Sequence, residues 1–200
     1  MNKSSIMDFM DINKLIARRL LALRDSRGLS LTALAERSGV SRSNISLIER
    51  GESSATATVL DKLAGALGVT LAALFEAGQG EPAAPSPLQR AADQPVWTDP
   101  ASGYVRRQLS PAARSPMQLV EVVFPPGQRV TYEQVLRDAD VHQQVWLLDG
   151  VMDVSAGDRH WRLEAGDCLA IREDQHISYA NPGQTPARYL VGLVTLPFAI

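Results

Sequence analysis

Cysteine is almost missing from this chain: Cys168 is the only one in 200 residues. A disulfide framework is excluded, and the single thiol suits a reducing, cytoplasmic setting. A lone cysteine on a strand reads as a small buried hydrophobe, since a redox switch needs exposure beside a positive charge. No apolar run approaches the roughly 18 residues of a spanning helix, so no membrane partner is expected. The opening MNKSSIMDFMD lacks the charged, apolar, small order of a secretory signal, and Met7 and Met10 are alternative starts. Histidine is scarce as well: His142, His160 and His176 are scattered and suggest surface positions rather than a metal centre. No Ser/His/Asp, Cys/His or paired-carboxylate spacing occurs, and no glycine-rich phosphate cradle. No catalytic residue, cofactor or enzymatic activity is expected.

Neither sign of charge dominates, at a net −2, but the distribution is uneven. Residues 1–76 hold ten Lys/Arg against eight Asp/Glu, and residues 77–200 hold ten against fourteen. The modest basic excess at the N-terminal end is compatible with a polyanionic partner there.

Apolar residues recur at helical spacing in the first third. Ile12, Leu15, Ile16, Leu20 and Leu23 make one stripe, with Asp11 as the expected N-cap and Gly28 as the stop. Further helices are expected at about Leu31 to Arg37 after Ser30, Arg42 to Arg50 after Ser41, and Ala57 to Leu67 closed by Gly68. A last short helix is expected from Thr70 through Phe75, giving a five-helix unit. Residues 1–11 read as a tail, 12–77 as the helical domain and 78–95, rich in Pro, Ala and Gly, as a linker. From 96 to 200 short apolar runs recur every 8–12 residues between turn signals such as Pro125-Pro126-Gly127, Asp149-Gly150 and Asn181-Pro182-Gly183. That pattern predicts an all-β sandwich or jelly roll. The whole is an α+β multidomain chain.

The segment LSLTALAERSGVSRSNISLIERG, Leu29 to Gly51, sets two short amphipathic helices around a tight turn, the layout of a helix-turn-helix. Stepping 100° per residue puts Arg42, Ser43, Ser46, Leu47 and Arg50 on one side of the second of these, with Ile45 and Ile48 opposite. Arg42 suits a bidentate contact to a guanine edge, Ser43 and Ser46 suit bases or phosphates, and Leu47 suits a thymine methyl. Asn44 lies on the flank. Ser30 and Thr32 open the preceding helix, where amides and hydroxyls can hold phosphate. Glu49 falls near the buried edge within reach of Arg24, which suggests a structural pair.

Positions 31 to 75, LTALAERSGVSRSNISLIERGESSATATVLDKLAGALGVTLAALF, closely resemble the XRE family, the Cro/repressor type of helix-turn-helix. The resemblance implies a homodimer on a pseudo-palindromic double-stranded operator, with half-sites about 34 Å apart. Ala55 stands where the family usually has proline.

Pro125 to Asn181 resembles a cupin domain, from PPG at Pro125 to Gly127, through QVWLLDG ending at Gly150, to HISYANPG at His176 to Gly183. In metal-binding cupins three imidazoles and a carboxylate converge on one ion. Here the carboxylate position holds Gln143 and the last histidine position Ile177. The paired histidine positions fall at Arg137 and Ala139, or at Leu136 and Asp138 with shorter spacing. His142 and His176 are each one residue off, which on a strand turns the side chain to the other face. No metal is expected. Strand parity turns Arg137, Gln143 and Tyr179 toward the barrel interior beside Ile177 and Val145, with Tyr132 and Trp146 as further candidates. That mixture suits a small polar effector, an amino acid or other carboxylate, gripped by Arg137. Two alternatives stay open: a β domain that only dimerises, and a metal-dependent cupin enzyme fused to a DNA-binding domain.

Overall fold

A computed structural model describes residues 3–76, 86–113, 115–134 and 139–197. The helical half runs α1 (Lys3–Ser26), α2 (Leu31–Ser38), α3 (Arg42–Glu49) and α4 (Ala57–Ala66), then a 3₁₀ turn (Leu71–Phe75). Each of the last four starts at a hydroxyl cap: Ser30, Ser41, Thr56 and Thr70 accept from the amides of Ala33, Asn44, Val59 and Ala73. Gly39 closes α2 at φ 67, a left-handed position that side chains with a Cβ rarely take.

Two expectations are corrected here. Among the described residues the α-helices number four rather than five. LAALF spans only five residues, its Ala73 amide returns to Thr70 O at 3.0 Å, and the chain turns extended at Glu76. The first helix begins at Lys3, so Asp11 is not its cap: no Pro or Gly interrupts residues 3–11, and nothing in that stretch stops a helix. Of the expected linker, residues 78–85 lie outside the described residues, and Ala91–Asp93 forms one 3₁₀ turn.

The β half has ten described strands: β1 (Val96–Thr98), β2 (Val105–Gln108), β3 (Met117–Phe124), β4 (Arg129–Tyr132), β5 (Ala139–Asp149), β6 (Val151–Ala156), β7 (Arg159–Glu164), β8 (Cys168–Arg172), β9 (Ile177–Ala180) and β10 (Ala187–Pro197). They pair antiparallel into a six-stranded sheet, β1-β2-β3-β10-β5-β8, facing a four-stranded sheet, β4-β9-β6-β7. The sequence patterns at β1, β4 and β9 are too short to show alternation, and β9 is buried at all four positions. The expected double-sheet architecture stands with these three strands added.

Alternation along the strands sorts the interior. Val120, Val122 and Phe124 of β3, Val141, Gln143, Val145 and Leu147 of β5, and Tyr189, Val191 and Leu193 of β10 are buried. Between β5 and β6 the chain turns at Gly150, φ +85, where an added Cβ would stand 2.8 Å from Ala187 Cα. Cys168 lies exposed on β8, contrary to the buried reading; it is opposite Trp146, itself 49% exposed, on the outer face of the six-stranded sheet.

One hydrophobic cluster runs through both halves, from Leu20, Leu34 and Leu60 to Trp97, Phe124 and Leu147. Phe75 meets Trp97 edge-on with ring centroids 5.6 Å apart. Polar contacts stitch the same boundary. Asp99 Oδ1 accepts the Ala57 amide at 2.9 Å, Lys62 pairs with Glu133 at 3.0 Å, and Gln118 donates to Glu76.

Candidate functional site

The helix α3 presents its polar side outward. Arg42, Ser43 and Leu47 are exposed, Ser46 and Asn44 half-buried, while Ile45 and Ile48 on the opposite side are buried. Ser41 is both the helix cap and a neighbour of Ser43, with hydroxyls 3.3 Å apart. Ser30 and Thr32 are exposed at the start of α2, where the Ser30 hydroxyl accepts from the Ala33 amide. Arg50 lies on the exposed side but is engaged: its Nε and Nη2 donate to Glu52 at 2.9 and 2.7 Å, and Nη1 donates to Ser46. The Arg50 hydrogen bond holds the Glu52 carboxyl below its usual range.

Behind this face sits a clamp. Arg24 Nε and Nη2 donate to Glu49 Oε1 and Oε2 at 2.7 and 3.0 Å, and Nη1 donates to Leu29 O at 2.8 Å. Glu49's side chain is 7% exposed, so its place is structural, fixing α3 against α1. The bidentate hydrogen bond that Arg24 donates to Glu49 raises the guanidinium's pKa.

The second candidate is a cavity of about 70 Å³ between the two sheets, under the helical half. Gln143, Ile177, Tyr179 and Tyr132 line it, as the sequence suggests. Gln143 Oε1 accepts from Tyr179 Oη at 3.0 Å, and the Tyr132 and Tyr104 hydroxyls are 3.0 Å apart. Burial drives the tyrosines toward the neutral phenol, raising Tyr104 to about 12 and raising Tyr179, Tyr132 and Tyr189 as well. Val145 is fully buried in the core but outside the lining, and Trp146 faces away from it. Arg137 lies outside the described residues.

The sequence reading missed Arg106. It projects from β2 into the cavity, 7% exposed, with its guanidinium carbon 4.9 Å from the centroid of the Phe75 ring. Among the described residues its Nε and Nη2 have no hydrogen-bond partner. Burial lowers its pKa, the expected direction for a cation removed from water. The alternation Tyr104, Arg106, Gln108, all buried, carried the signal, but no apolar pattern marked it.

The donors for a metal do not converge. The cavity offers an amide at Gln143, an alkyl group at Ile177, phenols, the carboxylates of Asp61, Glu133 and Glu173, which are not grouped around one point, and a guanidinium that repels cations. His142 pairs with Asp140 at 3.2 Å on the outer face, and His160 and His176 are exposed. Among the described residues no group of three or more His, Cys, Asp or Glu is placed to hold a metal ion.

Residues 20–74 match the helix-turn-helix family HTH_3. Over 195 residues, 90% of this chain and 94% of the relative, the sequence is 37% identical to the HTH-type transcriptional regulator SutR of Escherichia coli strain K12. The crystal structure of an HTH_3 family transcriptional regulator from Vibrio cholerae superposes with a TM-score of 0.71 at 25% identity, covering 92% of this chain and 97% of that one. A cupin domain of an XRE family regulator from Enterobacter cloacae aligns over 46% of this chain and 95% of its own, at a TM-score of 0.42 and 15% identity. That distance carries no argument, and the barrel rests on its own strand order.

Proposed function

The chain belongs to the HTH-type transcriptional regulators, and from that premise we propose that it binds a double-stranded operator as a homodimer under the control of a small effector. The outward row of Arg42, Ser43 and Ser46, backed by buried Ile45 and Ile48, carries the DNA part of this reading. Such a row lies in the major groove with Arg42 on a guanine edge and Leu47 against a thymine methyl, while Ser30 and Thr32 hold phosphate. Asn44 contributes from the flank, and Arg50 joins by exchanging Glu52 for a phosphate.

Support for the second subunit comes from the outer face of the six-stranded sheet. Met117, Leu119, Trp146 and Leu196 are exposed there, an apolar strip that a second copy would cover. Support for the effector comes from the cavity, which holds polar groups converging within an apolar wall. The effector is a small polar molecule, amino-acid- or carboxylate-like, and needs no metal. Its binding shifts the balance between domain arrangements that fit two half-sites and those that do not. No catalytic role is assigned, and the protein works in the cytoplasm.

The test is selection of duplexes from a randomised pool by the full-length protein. Enrichment of a pseudo-palindrome with half-sites one helical turn apart is the expected result. A pool that stays random after selection overturns the reading.

A further inference from the structure

We infer that Arg106 is the anion receptor of the cavity, and that the ligand is a small monocarboxylate seated on its Nε and Nη2 edge beneath the helical half. This deepens, and rests on, the reading of the barrel as an effector site. The two unpaired nitrogens are the pair that project parallel N–H bonds from one side of a guanidinium. A carboxylate, with two oxygens in one plane, matches that fork; a lysine in the same place would offer only a point charge. Leaving a buried guanidinium without acceptors is costly, so its retention calls for a partner that arrives from outside.

The other walls narrow the ligand. About 70 Å³ holds about five water-sized groups, which limits it to a short chain. Asp61, Glu133 and Glu173 also line the cavity, and Glu133 is paired with Lys62. Their charge weighs more heavily against a dianion such as sulfate than against a monoanion. Tyr104, Tyr179 and Tyr189 supply an aromatic wall for a short apolar body. Three side chains of the roof, Asp61, Leu71 and Ala72, belong to the helical half, and the Phe75 ring lies against the Arg106 guanidinium. The ligand is therefore held between the domain that reads DNA and the domain that recognises the anion.

Thermal unfolding of the full chain tests this with acetate, propanoate and lactate, each against sodium chloride at equal ionic strength, and with the zwitterion glycine against buffer alone. Acetamide serves as the neutral shape of acetate, and sulfate as a dianion. At least one of the carboxylates is expected to raise Tm saturably, with acetamide and sulfate ineffective. Arg106→Lys and Arg106→Gln, checked for folding by circular dichroism, are expected to weaken the response at least tenfold. In the unmodified protein the Arg106 Hε resonance is expected to move on titration with the responding carboxylate. A response unchanged in Arg106→Gln, an immobile resonance, or no response to any carboxylate overturns the assignment. Stabilisation by acetamide or sulfate in place of the carboxylates overturns it too, while leaving an effector in the barrel. Operator selectivity, measured on the same samples, reports separately on the DNA-binding reading.

Discussion

Asp99, on the barrel side of the chain, caps a helix of the other half: its Oδ1 accepts the amide of Ala57, the first residue of α4, at 2.9 Å. Its Oδ2 accepts from the Ser102 amide at 2.9 Å and the Ser102 hydroxyl at 2.6 Å, and the residue is 2% exposed. Forty-two residues of chain separate Ala57 from Asp99, so this is a tertiary latch rather than a local turn. Asp99→Ala orphans a buried helix N-terminal amide and the Ser102 donors. The expected cost is about 1–3 kcal/mol. Urea unfolding of the variant measures it. A midpoint unmoved from the parent would deny the latch any energetic weight.

The Arg24–Glu49 clamp makes a different demand. With both side chains largely out of water, removing one partner strands the other charge. Glu49→Ala is expected to lose about 3–5 kcal/mol, and the Arg24→Met, Glu49→Leu double variant to recover much of that. Chemical denaturation of the two proteins provides the comparison. Because neither side chain is placed to read bases, the double variant should keep the parent's sequence preference. A changed preference would move Glu49 from scaffold to interface.

Much of this was legible from residue order, for reasons of range. The DNA-facing row needs only the 100° step of a helix, and Ile45 and Ile48 lie inside as that step requires. The hydroxyl caps before α2 and α3 are local chemistry too. Gln143 and Tyr179 turn inward by the two-residue period of a strand. What escaped was either too short for a period, as in β1, β4 and β9, or made by distant segments. Arg106 stands next to Arg107 after only the two-residue run Tyr104-Val105, so hydrophobicity gave no hint of which arginine points in. Its burial depends on Phe75, thirty-one positions earlier, folding over it. The exposure of Cys168 likewise depends on which sheet face is left uncovered.

Arg42 tests base reading directly. If it forks onto a guanine, Arg42→Ala costs about 1–3 kcal/mol on the selected operator and relaxes preference at one base pair. Fluorescence anisotropy over a panel of single-base operator variants separates the possibilities. An equal loss on every duplex would make Arg42 a phosphate contact, and the slope of affinity with salt would then fall by about one.

The outer sheet face makes a prediction about assembly. Trp146→Glu places a charge in the middle of the exposed strip, where Trp146 is opposite Cys168 on β8 and Leu190 on β10. The folded subunit should tolerate it, since position 146 is half exposed and outside the core. Sedimentation is expected to show the dimer shifted to monomer, with operator affinity falling while the urea midpoint of the subunit holds. A dimer that persists would place the partner on another surface.

Arg106 sets stability against recognition. Its guanidinium gains a ring contact with Phe75, but among the described residues its buried Nε and Nη2 find no hydrogen-bond partner, and three carboxylates line the same cavity without closing on them. Arg106→Met keeps most of the side-chain volume and removes the desolvated charge. Replacing a poorly satisfied buried charge with an apolar side chain is neutral or stabilising by about 1–4 kcal/mol. In ligand-free buffer the variant should therefore unfold at an equal or higher urea concentration than the parent, and the order should reverse at saturating carboxylate, where only the parent gains. A variant clearly weaker than the parent without ligand would mean that the arginine holds the two halves together, and its unpaired edge would then need an explanation other than a ligand.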